Sequence, residues 1–200
     1  MPFTTATLII VLVYTWILDP LTPRTVVIVP MAAVAALAVW HAARAGDWGF
    51  KTSAFAPALK PTALVTVIGV AAILAAGAIV GTLHDRRDFL GSLGGLLVWG
   101  GAQQWVLQTL VLREAQHATS DRAGVFVASA LFASLHLPNP FLTAVTFVAA
   151  LAWCGIYSRH PNVLPLALSH ALGTLAILYA FDEAITGRLR VGYSYLQLLR

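Results

Sequence analysis

The chain is poor in charge and almost without cysteine. Asp, Glu, Lys and Arg make up only 10% of its 200 residues, against about 25% in a soluble domain. With 59% hydrophobic residues and a mean hydropathy of +0.82, this scarcity excludes an ordinary soluble globule and points to an integral membrane protein. The lone cysteine, Cys154, excludes an internal disulfide and a cysteine-based zinc cluster. In the run LAWCGIY it reads as a buried, inert thiol. The first residues lack the charged leader and small-residue cleavage site of a signal peptide, so Phe3–Leu18 reads as a retained helix. Carboxylates are scarcer still. All 8 of them (Asp19, Asp47, Asp85, Asp88, Glu114, Asp121, Asp182 and Glu183) fall outside the apolar runs. Histidine is then the evident proton acceptor within the membrane. The net charge of +4 belongs to loop Lys and Arg. No basic patch with interleaved aromatics is present, so nucleic acid is not an expected partner.

What remains is a series of long apolar runs. At about 20 residues per span, the length allows six to eight membrane helices. The runs are continuous rather than alternating, which argues against a barrel. They are Phe3–Leu18, ended by Asp19-Pro20; Thr25–Ala43, with a kink expected at Pro30; Thr62–Leu83; Gly91–Leu112; about Ala123–Leu137, capped by Ser120 or Asp121; Phe141–Tyr157; and Val163–Phe181. The expected fold is all-α: a polytopic bundle of about seven transmembrane helices in a single membrane domain, residues 1–200. Between the runs, Arg44–Lys60 sets Trp48, Phe50 and Phe55 beside Lys51 and Lys60, and reads as a segment in the headgroup plane. His84–Asp88 reads as a solvated charged loop, and Asp182–Arg200 as an amphipathic tail. The 12 Lys and Arg divide equally between the two sides, so the positive-inside rule sets no orientation.

Gly91–Leu112 is uncharged yet holds Gln103, Gln104 and Gln108. At about 100° per residue, Gln104 and Gln108 stack on one face, with Gln103 a quarter-turn round. Its glycines 94, 95, 100 and 101 allow a neighbour to approach closely. Polar side chains in hydrocarbon face the bundle interior or a cavity and are candidates for function. The candidates to face this stripe are His136, one turn before a proline break, and His170, midway along the last run. Glu114 lies about 16 Å along the helix from Gln103 and cannot supply a carboxylate at that level. Two histidines fall short of the three or four ligands of a usual metal site, so neither metal nor cofactor is expected. Ser134 and Ser169 flank the histidines as alternative nucleophiles, but no Gly-x-Ser-x-Gly turn is present. Ser169 would also point about 100° away from His170.

Three stretches in order, Gln103-Gln104-Trp105-Val106-Leu107-Gln108, Phe132-Ala133-Ser134-Leu135-His136 and His170-Ala171-Leu172-Gly173-Thr174, resemble the CAAX protease and bacteriocin-processing family, also called the Abi family. The likeness covers about residues 91–181. That family carries Glu-Glu-x-x-x-Arg, Phe-x-x-x-His and His-x-x-x-Asn motifs. The resemblance implies membrane helices around a polar chamber and a glutamic intramembrane peptidase. It puts His136 and His170 at the two histidines, Gln103 and Gln104 at the two glutamates, Gln108 at the arginine and Thr174 at the asparagine. Phe132 opens the second motif. The implied catalytic set is Gln103, Gln104, His136 and His170, supported by Gln108, Phe132 and Thr174. The departure is chemical: an amide cannot take a proton at neutral pH. An all-amide network does stay hydrogen-bonded without burying charge. Two expectations follow. One is an endopeptidase in which the histidines assist water attack and Gln103 and Gln104 orient water or substrate. The other is a non-catalytic relative that holds a substrate-like helix as a binder or scaffold. A small-molecule or ion carrier has less behind it, since no repeat of broken helices is visible. Expected partners are membrane lipids and a peptide or membrane-protein substrate, and the expected location is the cytoplasmic membrane of a bacterium.

Overall fold

The computed structural model describes residues 1–85 and 89–199. Part of the expected loop over His84–Asp88, and the last residue of the tail, therefore lie outside the described residues. The described residues form an all-α bundle without strands apart from one isolated bridge between Phe50 and Asn162. The helices are α1 (Pro2–Val13, continued by a π turn, Tyr14–Leu18), α2 (Ile28–Ala45), α3 (Thr52–Val80), α4 (Phe89–Val106), α5 (Arg113–Ala118), α6 (Asp121–Ser134), α7 (Pro140–Arg159) and α8 (Val163–Ala180). A π-helical segment, Leu107–Leu112, joins α4 to α5 without a break. Two short helices follow in the tail, α9 (Glu183–Thr186) and α10 (Gly192–Leu196).

Helix ends fall where the local chemistry sets them. Ser120 caps α6, its hydroxyl accepting the Ala123 N–H at 3.2 Å. Asn139 caps α7 in the same way, accepting from Leu142 at 3.1 Å, and Pro140 takes the first helical position, where its missing N–H costs nothing. Asn162 caps α8 through the Leu164 N–H at 3.0 Å. Pro30 lies in the first turn of α2, so the expected kink is absent from the helix interior. One larger correction concerns 44–60. Residues from Thr52 on are the first turns of a 29-residue α3, with Pro57 and Pro61 inside it. Only 46–51 remain as connection, so most of the segment expected in the headgroup plane is membrane helix.

Four helical stretches are long and apolar enough to cross a bilayer: Thr25–Ala45, Thr52–Val80, Pro140–Arg159 and Val163–Ala180. Pro2–Leu18 is a shorter apolar helix. The outward faces carry large exposed hydrophobics, among them Leu64, Val67, Ile79 and Val98. Apolar patches of this extent mark contact with lipid. The protein is thus an integral membrane helix bundle.

The helices alternate in direction, which gives the bundle two ends. One end holds 46–51, 119–120 and 160–162. There Asp47 accepts from Arg113 Nε at 2.7 Å, from the Tyr157 hydroxyl at 3.1 Å and from the Gly49 N–H at 3.0 Å. The Arg113 guanidinium also lies over the Tyr157 ring, 5.0 Å from its centroid. Beside this clasp, Glu114 accepts the N–H groups of Phe3 and Thr4 at 3.3 and 2.7 Å. A carboxylate from the far end of α4–α5 thereby caps the start of α1, where free N–H groups and the helix dipole favour an anion. The opposite end holds the turn after α6, the connections 19–27 and 81–85, and the tail. The core between the ends packs around the π segment, whose residues Leu107, Leu110 and Leu112 are fully buried.

Candidate active site

α4 and α8 lie side by side because glycine lets them. A side chain at Gly100 would sit 3.2 Å from His170 Cγ, and one at Gly101 would sit 3.7 Å from Ala167. Gly94 and Gly95 face open space, so the close approach rests on the second glycine pair alone. The contact brings the glutamine stripe against His170. Gln108 Nε2 donates to Gln104 Oε1 at 3.0 Å, and Gln104 Nε2 lies 3.2 Å from His170 Nδ1. Both glutamines are wholly buried. In this sense of the amide chain, His170 Nδ1 accepts and its proton sits on Nε2. Gln108 Oε1 ends the chain, buried without a hydrogen-bond partner among the described residues.

His170 is held on its other side by Trp153, stacked at 4.9 Å between ring centroids and 18° between planes. Trp153 is fixed in turn by donating Nε1–H to Ser169 Oγ at 3.0 Å, and Thr66 Oγ1 lies 2.7 Å from the same oxygen. Ser134 is tied back to Leu131 O at 2.7 Å. Both candidate serine nucleophiles are thus engaged in structural bonds.

His136 follows the last turn of α6. Its Nδ1 lies 2.9 Å from Phe132 O. A carbonyl can only accept, so Nδ1 carries the proton and Nε2 keeps its lone pair. The Phe132 ring stands edge-on to both histidines, at 5.0 Å from His136 and 6.4 Å from His170. Phe132 therefore serves twice, by carbonyl and by ring.

The two histidines share a cavity of about 1560 Å³, larger than the range of about 300–1,000 Å³ usual for small-molecule sites. Gln103 and Thr174 line it, as do Trp153 and Ser169. The seven residues singled out from the three motifs thus meet around one chamber or directly behind its wall. The walls are mostly apolar. Among the described residues, no group of three or more His, Cys, Asp or Glu is placed to hold a metal ion. Cys154 is buried, as a structural thiol would be.

Sequence reasoning missed several residues of this site. Trp153 and Thr66 stand behind His170, and only an aromatic and a threonine in apolar runs marked them. Asp19 lines the cavity from the end of the first helix, where it reads in sequence as a simple helix stop. Asn139 is buried at the turn after His136. Its place before Pro140 was a visible helix-cap signal.

A family model described as "Type II CAAX prenyl endopeptidase Rce1-like" matches residues 5–176. No curated protein and no solved structure matches the chain.

Proposed function

We propose, for a chain that belongs to the Rce1-like family of type II CAAX prenyl endopeptidases, that a water between His136 and His170 attacks the peptide bond. The family gives an intramembrane protease acting on a peptide or protein in the bilayer. The finer assignment is to the residues of this chamber. His136 Nε2, with its lone pair free because Nδ1 is bonded to Phe132 O, takes a proton from water as the oxygen adds to the carbonyl carbon. The His170 Nε2–H and the Gln103 amide donate to the oxygen that becomes negative. As the C–N bond breaks, His136 returns its proton to the leaving nitrogen. Gln104 holds the His170 ring in the donor tautomer, and Gln108 holds Gln104. Thr174 lines the same wall.

The observation that carries this reading is the buried chain Gln108–Gln104–His170, which ends at the chamber that also takes His136. Three amides where the family has two carboxylates and an arginine keep the hydrogen bonds and remove the charge.

A second reading rests on the same residues. Gln103 and Gln104, at the family's two glutamate positions, are uncharged, so that level has no base. The chamber would then hold a substrate-like helix without cutting it. One comparison separates the two. Membrane peptides released by cells are identified by mass spectrometry for the wild type, for His136→Ala and for the double change Gln103→Glu, Gln104→Glu. Peptides released by the wild type and lost in His136→Ala establish a protease that works without the glutamates. Release only by the double glutamate form refutes that reading and leaves binding.

A further inference from the structure

The tail beyond the family-matched residues does not hang free. It folds back onto the turn that carries His136. The buried Asn139 donates from Nδ2 to Thr186 O at 2.8 Å and to Arg190 O at 3.1 Å, while its own N–H reaches His136 O at 3.1 Å. The Gly192 N–H donates to Leu137 O at 2.8 Å. The backbone at Arg190 is therefore bonded to the same short turn as the histidine.

The loop that does this is strained. Gly187 and Gly192 have φ of 58° and 59°, and between them Arg188 and Leu189 have φ of 53° and 54°. A left-handed conformation is costly for residues other than glycine, and it persists only where surrounding contacts impose it. The two glycines have no room for a side chain: Gly187 lies against Tyr195 and Asn139, and Gly192 against Thr15. The loop parts its two arginines. Arg188 turns outward to Glu183, at 2.8 Å. Arg190 lines the chamber with Val191 and Ser194. Asp19 lines the cavity too, yet among the described residues no ion pair joins it to Arg190, whereas Arg113 and Arg188 both have carboxylate partners.

The geometry points to Arg190 as the anchor for a carboxylate of the peptide that enters the chamber, a role that rests on the peptidase or peptide-holding reading above. A guanidinium on a mostly apolar wall gains most from an anion, and its planar fork matches a carboxylate. Its attachment to the His136 turn places that anion within a few residues of the bond facing the histidine. Arg190 lines the chamber and is half-buried, which favours a peptide carboxylate inside it over a lipid phosphate.

The test uses a leucine-rich, fluorescein-labelled peptide, made with a free C-terminal carboxylate and as its C-terminal amide. Binding to the full-length protein in detergent is followed by fluorescence anisotropy. The free acid is expected to bind the wild type about tenfold more tightly than the amide. Arg190→Gln is expected to bring the two within about twofold, while Arg188→Gln, which loses only the outward pair with Glu183, keeps the preference. Equal binding of the two peptides, no binding of either, or a preference that survives Arg190→Gln overturns the inference. So does competition by phosphatidylglycerol that Arg190→Gln removes in the absence of an acid preference, since the cation would then serve a lipid phosphate. An acid preference in the wild type that Arg190→Gln removes, with no peptide released in cells by the wild type, upholds the anchor while the cutting reaction alone fails.

Discussion

One continuous helical run, α4 through α5, carries two polar clusters of opposite character. At its middle, Gln104 and Gln108 are buried, neutral and bonded in series to His170. About 11 Å further on, Arg113 and Glu114 are charged, and each has partners: Asp47 for the arginine, two backbone N–H groups of α1 for the glutamate. The difference follows from position. At the bundle end, Arg113 and Asp47 keep 24% and 25% of their side-chain surface exposed, so water and a close partner share the cost of the charge. At chamber depth, burying an ion costs several kcal/mol, and amides keep the connections without it. In the function proposed above, the middle cluster serves chemistry or binding, while the end cluster ties helices together. Substitutions at the two places should therefore fail in different assays.

The largest expected effect is functional. His136→Ala should lower peptide release at least about 100-fold, the contribution of a positioned proton acceptor. It should leave the thermal unfolding midpoint in detergent nearly unchanged, because the ring bonds only to the adjoining turn. A large loss of stability instead would place His136 among the structural residues and dissolve the contrast.

At the other cluster the signs reverse. Glu114→Ala leaves the Phe3 and Thr4 N–H groups without their carboxylate. It should cost about 1–3 kcal/mol of stability, read by thermal or denaturant unfolding in detergent. Activity per folded molecule should hold. Glu114→Gln should cost less, because one acceptor oxygen remains.

Gly100→Ala sits between these extremes. The added carbon would meet His170 Cγ at 3.2 Å, and the ring cannot slide away because it is stacked on Trp153. Activity should fall about tenfold. Stability should change little, since alanine recovers up to about 1 kcal/mol of helix propensity against the strain. A fully active Gly100→Ala would show that the His170 position is not tightly set.

Much of this was legible in the sequence, and the part that was not has physical reasons. Apolar runs and proline breaks placed the helices, because backbone in a bilayer has few options besides helix. Gln104, Gln108, His136 and His170 stood out because polar groups in hydrocarbon need partners. What sequence could not give was partners far apart in the chain. Glu114 read as a residue beyond an apolar span, and nothing local tells that it caps a helix 110 residues earlier. Asp47, Arg113 and Tyr157 read as three unrelated residues near helix ends. The headgroup-plane reading of 44–60 failed because Pro57 and Pro61 read locally as helix breaks, whereas both stand inside one continuous helix from Thr52 to Val80, in which Lys60 can reach toward the interface along its own stem. The motif reading began at residue 91, whereas the family match reaches back to residue 5. The match takes in the first three helices, where no short motif stands out in the sequence.

The smallest expected effect is the sharpest test of the contrast between neutral and charged clusters. Gln108→Leu removes the donor to Gln104 but also removes Gln108 Oε1, an acceptor that is already buried without a partner among the described residues. Gln104 Oε1 then becomes the orphan in its place, so the number of unsatisfied acceptors does not rise. The net loss is one amide hydrogen bond, about 1 kcal/mol, offset in part by a better apolar fit in the core around the π segment. Stability should therefore move by less than in Glu114→Ala, where two donors lose a charged partner at once. Activity should still drop several-fold, because Gln104 loses the bond that sets its amide and, through it, the tautomer of His170. Equal stability losses for the two substitutions would mean that charge state at the two depths is incidental. A stability change confined to Glu114 with an activity change confined to Gln108 would mean that one helix divides the two tasks by depth.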